Sequence, residues 1–221
     1  MEIKPILFNT EMVRAILDGR KTCTRRVIKP QWEECPHCRY VHNEFLYDEF
    51  EKVIYCARCG YPLDEDRAVP CQEEDILYVR ETWQYLYELD GNEQVIEDTG
   101  KYYYAATDTI PFDTYVDENG VKHDHAPWKP SIHMPKKAAR IWLKVTDVRV
   151  ERLQDITADG IRNEGLPSMA VHVGDMDVAL KEWETLWNST IKKSDIDRYG
   201  WQANPWVWVI EFERGEKPQE V

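Results

Sequence analysis

The sequence predicts an α+β fold in which a small β-barrel with short flanking helices is interrupted by a cysteine-rich insertion. Three observations lead to this class. Segments with strand-like alternation are separated by short helical patterns. The longest extended segment, 139–153, changes its apolar phase near Thr146-Asp147, as a strand does when a bulge bends it around a barrel. Four of the six cysteines form two closely spaced pairs within residues 31–70.

Size and composition are those of a globular chain. The 221 residues, of which 43% are hydrophobic and 31% charged, are enough for one domain and an insertion. No apolar run approaches the length of about 18 residues that a membrane span needs, and Met1–Pro5 does not resemble a signal peptide. We therefore expect a cytoplasmic protein.

The first predicted helix covers residues 10–21. Thr10 can cap it, Val13 and Leu17 lie on one apolar stripe, and Gly19 ends it.

A basic run follows this helix in a chain that is otherwise acidic. Cations are concentrated within ten residues that contain no acid: Arg20, Lys21, Arg25, Arg26 and Lys29. The net charge is −13, and phosphate neutralisation supplies most of the affinity of nucleic-acid binding. A broad nucleic-acid interface is therefore disfavoured, and this run is the one place where phosphates or a polar ligand would meet concentrated positive charge. A solvated charged turn is the alternative.

The insertion carries a predicted metal site. Two Cys-x-x-Cys pairs, with 17 residues between them, comprise Cys35, Cys38, Cys56 and Cys59. This spacing is typical of a closed tetrahedral zinc site, and Gly60 can take the left-handed conformation that follows such a pair. With four sulfur ligands no position stays open for water, so we expect one structural Zn²⁺ per chain. Two redox pairs, or a coincidence of spacing, are the alternatives. The stretch 44–55 suits a short hairpin.

The remaining elements are predicted in order along the chain. Strands are expected at 75–83, 101–106, 139–153 and 206–212, and helices at 156–164 and 175–191. Asp90-Gly91 and Asn119-Gly120 are hairpin turn signals. We expect residues 107–135 to form a long ordered loop or a hairpin excursion, and residues 215–221 a flexible tail.

Several of these segments resemble one family. The run 16–26, with Lys21-Thr22-Cys23-Thr24-Arg25-Arg26, resembles the opening signature of ASCH domains, which are PUA-like β-barrels associated with RNA and nucleotide chemistry. Segments 74–81 and 163–165 resemble the family's second strand and third element, although Glu74 stands where a glycine is usual. Segment 204–210 resembles the closing strand of ASCH-like proteins often met in bacteriophage and prophage genomes, which would imply a bacterial host cell.

The resemblance implies a domain organisation. Residues 1–30 and 71–214 would form a discontinuous ASCH, PUA-like barrel, and residues 31–70 a zinc ribbon inserted into it.

It also implies a candidate reaction. One ASCH subgroup consists of N4-acetylcytidine amidohydrolases, whose active-site lysine, threonine and glutamate match Lys21, Thr24 and Glu164 by motif position. Other ASCH-like proteins are proposed to bind RNA or modified bases, and at least one kind is a ribonuclease.

The chemistry of these three residues leaves their roles open. An amide hydrolase needs a nucleophile, a base that activates it, and donors for the oxyanion. Thr24 can be the nucleophile or orient a water. Lys21 can be the base only when neutral, which flanking arginines favour and Glu164 opposes. Glu164 is then either an acceptor for the base edge of a substrate or the acid/base itself, with Lys21 cationic.

Two functional hypotheses follow. In the first, the chain is a small hydrolase acting on a modified pyrimidine nucleoside. In the second, it is a non-catalytic module that reads modified or structured nucleic acid, either RNA or DNA with RNA favoured, and the zinc ribbon offers a surface for a protein partner. The binding residues expected in either case are Arg20, Arg25, Arg26, Arg80 and Trp83.

Overall fold

The structure is a computed structural model. It describes residues 1–29, 31, 34–41, 45–48, 50–51, 53–63, 69–88, 90–92, 94, 96, 99–110, 115–116, 122–123 and 127–219.

Along the described residues, one α-helix follows the first strand and the other four α-helices lie together before the last strand. The α-helices are α1 (Thr10–Leu17), α2 (Ala158–Asn163), α3 (Met169–Val173), α4 (Met176–Thr190) and α5 (Ile196–Tyr199). The strands are β1 (Ile3–Leu7), β2 (Cys23–Val27), β3 (Phe45–Asp48), β4 (Val53–Cys56), β5 (Ile76–Arg80), β6 (Trp83–Leu86), β7 (Lys101–Tyr104), β8 (Tyr115–Val116), β9 (Lys122–His123), β10 (Trp142–Arg152) and β11 (Trp206–Gly215). No helix among the described residues has both the length and the apolar character needed to cross a membrane.

The main sheet contains five strands in the order β1-β5-β10-β11-β2. Strand β1 runs parallel to β5, and β2 runs antiparallel to β11. Three further sheets are two-stranded: β3-β4, β6-β7 and β8-β9. The α+β class is therefore confirmed. The five-stranded sheet is open, and among the described residues no pairing joins its two edge strands into a barrel.

The chain divides into two compact units. The first contains Met1, Arg20–Asp75 and Lys144–Glu213. Its core combines one face of β2 and β11 with the helices that precede β11, and its buried members include Cys23, Leu153, Ile161, Ala179, Trp183, Trp187, Val207 and Val209. The predicted packing role of the tryptophans on α4 is confirmed.

The second unit contains Glu2–Gly19, Ile76–Leu143 and Arg214–Val221. One of its buried clusters is formed by Trp83, Met134 and Ala138. Three tyrosines of the β6-β7 hairpin pack against it: Tyr85, Tyr102 and Tyr104.

Most predicted elements are present with shorter bounds. Helix α1 begins at Thr10, but its N-cap is Asn9, whose side chain accepts a hydrogen bond from the Met12 N–H. The predicted strand 75–83 was wrong in its extent, because β5 ends at Arg80 and Trp83 begins β6. Helices α3 and α5 were not expected. The Asn119-Gly120 turn lies outside the described residues.

Strand β10 bears out the predicted change of apolar phase. Val145 and Val148 are both buried although they are three residues apart, and Thr146 between them is exposed. In a regular strand residues three apart point to opposite faces. The boundaries 31–70 and 215–221 remain predictions.

Candidate functional site

Strand β2 and helix α2 bring the basic run close to Glu164. Antiparallel pairing sets Cys23 opposite Glu211 and Arg25 opposite Val209. Residue Lys21, just before β2, bridges to Glu164, and the Thr22 N–H donates to the Asn163 carbonyl at 2.8 Å. Glu164 is the C-cap of α2, which begins after its N-cap Thr157. The end of a short helix is thus joined to the start of a strand through backbone hydrogen bonds.

A buried ion pair occupies this junction. The Nζ of Lys21 donates to Glu164 Oε2 at 2.6 Å, and the two side chains are 1% and 3% exposed. The same ammonium donates to the Cys23 carbonyl at 2.7 Å and to the Glu164 carbonyl at 3.0 Å. An ammonium has three donors, and here each has an acceptor. This geometry corresponds to a cationic lysine that holds a carboxylate.

Arg25 connects this pair to further charges. Its Nη1 lies 3.4 Å from Glu164 Oε1, and its Nη2 donates to Glu151 Oε2 at 3.1 Å. The other oxygen of Glu151 accepts from Arg149 Nε at 2.6 Å. A continuous chain of ion pairs therefore runs from Lys21 to Arg149.

Arg149 ends this chain among carboxylates. Its Nη1 donates to Asp147 and to Glu211, both at 2.6 Å. Burial alone would lower the pKa of Arg149, but hydrogen bonds to Glu211, Glu151 and Asp147 outweigh that effect and raise the pKa.

A polar pocket of about 220 Å³ opens beside this network. Its lining combines Cys23 and Gly160 with polar and charged residues: Arg25, Arg149, Glu151, Asp155, Thr157, Asp159, Asn163 and Glu211. Four carboxylates and two arginines leave an excess of two negative charges. Pockets for drug-sized ligands measure about 300–1,000 Å³. This pocket therefore suits a smaller group, such as a single base.

Cys23 in this lining is a thiol and not an activated nucleophile. Burial raises its pKa to about 12, and the nearby Glu164 carboxylate adds to the increase, while Arg25 and Lys21 oppose it. A thiolate is the reactive form of cysteine. The increase in the pKa of Cys23 that burial causes is thus larger than the decrease that Arg25 and Lys21 cause.

The three catalytic candidates are not brought together on one face. Lys21 and Glu164 are in contact. Thr24 is buried, but it lies between Cys23 and Arg25 on β2, and successive residues of a strand point to opposite faces. Thr24 is therefore on the face away from the pocket, opposite Ile210 of β11.

The other predicted binding residues have structural partners. Arg26 is half-buried on the same face as Thr24, and exposed Arg20 donates to the Gly165 carbonyl at 2.5 Å. In the second unit, Arg80 donates to the backbone carbonyls of Met134, at 2.8 Å, and Ile132.

The remaining binding candidate, Trp83, is a packing residue. It is 7% exposed, and it packs against Met134 and Ala138. Its ring face meets the Lys129 ammonium at 5.3 Å. In this conformation the ring is not available for a base to stack on it.

The cysteine cluster is the second candidate site. The ligand atoms of Cys35, Cys38, Cys56 and Cys59 all lie within 4.8 Å of one another. The Cys35–Cys59 and Cys38–Cys56 sulfur distances are both 3.7 Å, far beyond the S–S bond of about 2.05 Å in a disulfide. The four thiols are arranged so that they can hold one metal ion.

Two similar turns present these sulfurs. The Arg39 N–H donates to the Cys35 carbonyl at 2.9 Å, and the Gly60 N–H donates to the Cys56 carbonyl at 2.8 Å. Both Arg39 and Gly60 have positive φ, 58° and 68°. The left-handed conformation predicted for Gly60 is therefore confirmed, and Arg39 adopts it as well. The predicted hairpin is the β3-β4 pair.

Sequence reasoning missed the acidic half of the pocket. Glu151 of β10 and Glu211 of β11 line the pocket, and Asp147 pairs with the lining residue Arg149 from its place two residues earlier on β10. A period of two places residues 147, 149 and 151 on one face of a strand. This alternation of charges in the longest predicted strand was the signal that could have identified them.

Comparison with known proteins adds no assignment to this geometry. No family model matches the chain, and no curated protein or solved structure matches it.

Proposed function

We propose that this chain is an ASCH-like protein that binds a modified pyrimidine nucleoside in the pocket beside Arg25. The observation that carries the proposal is the buried Lys21–Glu164 pair, 2.6 Å apart and joined through Arg25 to the pocket lining. The resemblance of residues 16–26 and 163–165 to ASCH motifs supports the same assignment, because both motifs meet at this pair.

The energetics favour a functional role for these charges. Desolvation of a buried ion pair can cost more than the attraction returns, so such pairs are weak devices for stability. Clusters of buried ionisable groups beside a cleft are, by contrast, frequent at functional sites. The network of Lys21, Glu164, Arg25 and Glu151 fits the second description.

The charge of the pocket favours a nucleoside over a polymer. Nucleic-acid binding depends on cations that neutralise several phosphates. Here the lining is acidic in excess, and both arginines already face carboxylates. A pyrimidine base needs acceptors for its amino group and donors for its carbonyl and ring nitrogen. Carboxylates and a guanidinium provide both.

A deacylation reaction is the second part of the proposal. The contact between Lys21 and Glu164 favours the assignment in which Lys21 is cationic and Glu164 is the acid/base. Glu164 would take a proton from water as the water attacks the acetyl carbonyl of N4-acetylcytidine. It would return that proton to N4 as the C–N bond breaks, so that acetate and cytidine are released. Thr24 then has no direct part in the chemistry.

The metal of the cysteine cluster is proposed to be structural zinc. In a tetrahedron with Zn–S bonds of about 2.3 Å, the sulfurs lie about 3.8 Å apart. The two measured distances of 3.7 Å match this edge. Four thiolates would fill the coordination sphere, so the ion would stabilise the insertion.

The test measures binding and turnover together. We expect titration calorimetry to detect cytidine or N4-acetylcytidine binding, and acetate release from N4-acetylcytidine to fall at least about 100-fold in Glu164→Gln. Glu182→Gln, which changes an exposed carboxylate of α4, is the matched control and should retain wild-type activity.

Two results would overturn parts of the proposal. If neither nucleoside binds the wild type, the nucleoside assignment is wrong. If instead the protein binds RNA with a steep negative dependence on salt, the non-catalytic reader is the better assignment.

A further inference from the structure

A second basic segment lies in the other compact unit. Residues 127–143 contain no acid and carry four cations: Lys129, Lys136, Lys137 and Arg140. The run at residues 20–29 is therefore not the only concentration of positive charge in a chain whose net charge is −13. Clustered charge of one sign raises the local concentration of partners of the opposite sign. We call residues 127–137 of this segment the basic loop.

Three of these cations are available to a partner. Arg140 is already engaged, because its Nε and Nη2 donate to the two oxygens of buried Glu81, both at 2.9 Å. In contrast, Lys129, Lys136 and Lys137 are exposed and make no ion pair with any residue that the structure describes. Their charge is therefore directed to solvent and can meet an anionic group.

The basic loop is held in one conformation by the strands beneath it. The backbone of Lys129 exchanges two hydrogen bonds with that of Trp83, at 2.8 and 3.1 Å. Arg80 donates to the Met134 carbonyl at 2.8 Å and to the Ile132 carbonyl. The Met134 side chain is itself buried. A surface that is already ordered loses less conformational entropy on binding, so even modest contacts can give measurable affinity.

Apolar side chains are exposed between these lysines. Trp128 is 36% exposed and Ile132 is 58% exposed. Pro127 and Pro130, beside them, are exposed as well. Protein interfaces combine an apolar centre with a polar rim. The mixture of lysines and apolar groups on the basic loop therefore fits a protein segment that carries both acidic and apolar side chains.

The aromatic rings near the basic loop favour a protein over a nucleic acid as the partner. Single-stranded nucleic acid binds where successive bases stack on open aromatic faces. Here cations already lie over three of the rings, at 5.3, 5.4 and 4.0 Å from the ring centroids: Lys129 over Trp83, Lys101 over Tyr103 and Arg140 over Tyr104. The available cations of the loop are also all lysines, whereas arginine is the residue that recognises phosphate in a bidentate manner.

We propose that the basic loop binds an acidic segment of a partner protein. Carboxylates of that segment pair with Lys129, Lys136 and Lys137, and one of its apolar side chains packs against Ile132. The proposal goes beyond the proposed function and is independent of it, because all residues that line the nucleoside pocket belong to the other compact unit.

The first test compares three fluorescein-labelled peptides of equal length by fluorescence anisotropy. The probe repeats Glu-Asp-Leu, one control repeats Gln-Asn-Leu, and the other control repeats Glu-Asp-Gly. At low salt the probe should bind the wild type at least about fivefold more tightly than either control, since each control lacks one of the two kinds of contact. The affinity for the probe should fall as salt is added, because salt screens exposed charges.

The second test changes exposed residues of the basic loop, where folding is not at risk. The double variant Lys136→Gln/Lys137→Gln should weaken binding of the probe about three- to tenfold, through the loss of two exposed ion pairs. Lys192→Gln/Lys193→Gln removes the same charge from an exposed lysine pair of the other unit. This matched control should bind the probe as the wild type does. Ile132→Ser should weaken the probe towards the affinity of the Glu-Asp-Gly peptide, because an apolar contact is lost.

Several results would overturn the proposal. Absence of probe binding at low salt would do so, as would equal weakening in the two lysine double variants, which would assign the attraction to net charge alone. If poly(U) RNA binds more tightly than the probe and Lys136→Gln/Lys137→Gln weakens it, the loop binds nucleic acid instead. If sedimentation shows self-association that this variant abolishes, the occupant is a second copy of the chain.

These outcomes are separate from those of the nucleoside experiments. Cytidine binding measured by calorimetry should be the same in Lys136→Gln/Lys137→Gln as in the wild type. A loss of cytidine binding in this variant would contradict the independence of the two surfaces.

Discussion

The cysteine cluster and the Lys21–Glu164 network lie in the same compact unit but are encoded differently. The members of each cysteine pair are three residues apart, and Cys35 and Cys59 are 24 residues apart. Lys21 and Glu164 are 143 residues apart. A local chelating turn needs only the right spacing, whereas the ion pair exists only once β2, β11 and α2 have assembled. The first site is therefore readable from spacing, and the second only from the fold or a family resemblance.

The two sites also balance charge differently. A cluster of four cysteine sulfurs needs an external cation, because thiolates crowded together repel one another. The Lys21–Glu164 network has its own counter-charges. Removal of one cysteine should therefore destabilise the insertion because the metal is lost. Removal of one charged residue of the network should destabilise the fold because its partner is left buried and unpaired.

The largest expected effect is the loss of metal from the insertion. In small zinc sites, metal binding supplies about 10–16 kcal/mol and is coupled to folding. We expect about one zinc per chain by elemental analysis. In Cys56→Ser we expect loss of zinc and rapid limited proteolysis within residues 31–70. Cys71→Ala, which removes a buried thiol outside the cluster, should keep its zinc. A metal-free wild type that resists proteolysis would contradict the zinc site.

The next effect concerns the buried ion pair. Lys21→Met leaves Glu164 buried without its closest cation, and removal of one partner of a buried pair typically costs about 3–5 kcal/mol. Urea unfolding should show this loss, and adding Glu164→Gln should recover part of it. Lys144→Met removes the cation of an exposed pair with Glu74, and it should cost much less. Equal losses in the two lysine variants would show that the Lys21 pair is not buried in solution.

Much of the scaffold of this unit was predictable because it depends on local pattern. Helix α4 follows the apolar spacing of Trp183 and Trp187. Strand β11 begins at Trp206, where a strand was predicted, although its first five residues are all buried and do not alternate. The metal cluster follows from spacing. The position of Thr24 was not predictable, since the motif that contains it does not reveal which face of β2 meets α2. That face is set by pairing with β11, a strand at the other end of the chain, so no local pattern around Thr24 records it.

A smaller effect distinguishes the thiols of the two regions. The pKa of Cys23 is raised from 9.0 to about 12, mainly by burial. At pH 8 the thiol should stay protonated and resist a disulfide reagent in the folded protein, while chelation should expose the insertion thiols to it.

Because the pKa of Cys23 is higher in the folded state than in the unfolded state, its stabilising contribution is complete below about pH 9. It is lost as pH rises towards 12, and Cys23→Ala should remove this part of the alkaline decline in unfolding free energy. A rapid reaction of Cys23 at pH 8 would contradict its burial.

The smallest effect is a reciprocal pair of substitutions in the two cysteine turns. Arg39 and Gly60 occupy equivalent positions with φ of 58° and 68°. A left-handed conformation costs an ordinary residue about 1–2 kcal/mol. Glycine avoids this cost, but it loses more chain entropy on folding, which cancels part of the gain. The surface pair of Arg39 with Glu34 is worth little, since both side chains are largely exposed. Arg39→Gly should therefore slow zinc release to a chelator by a factor of about two to five.

Gly60→Arg should accelerate that release by a similar factor. Apart from its two chain neighbours, no heavy atom of the described residues lies within 4 Å of a Cβ at position 60, so the strain there comes from the conformation of the backbone. If the two substitutions change the rate of zinc release by similar factors in opposite directions, the two turns are equivalent in the metal-bound protein. If Gly60→Arg alone changed the rate, Arg39 would not hold the left-handed conformation in solution, and the first pair of cysteines would bind through a different turn from the second.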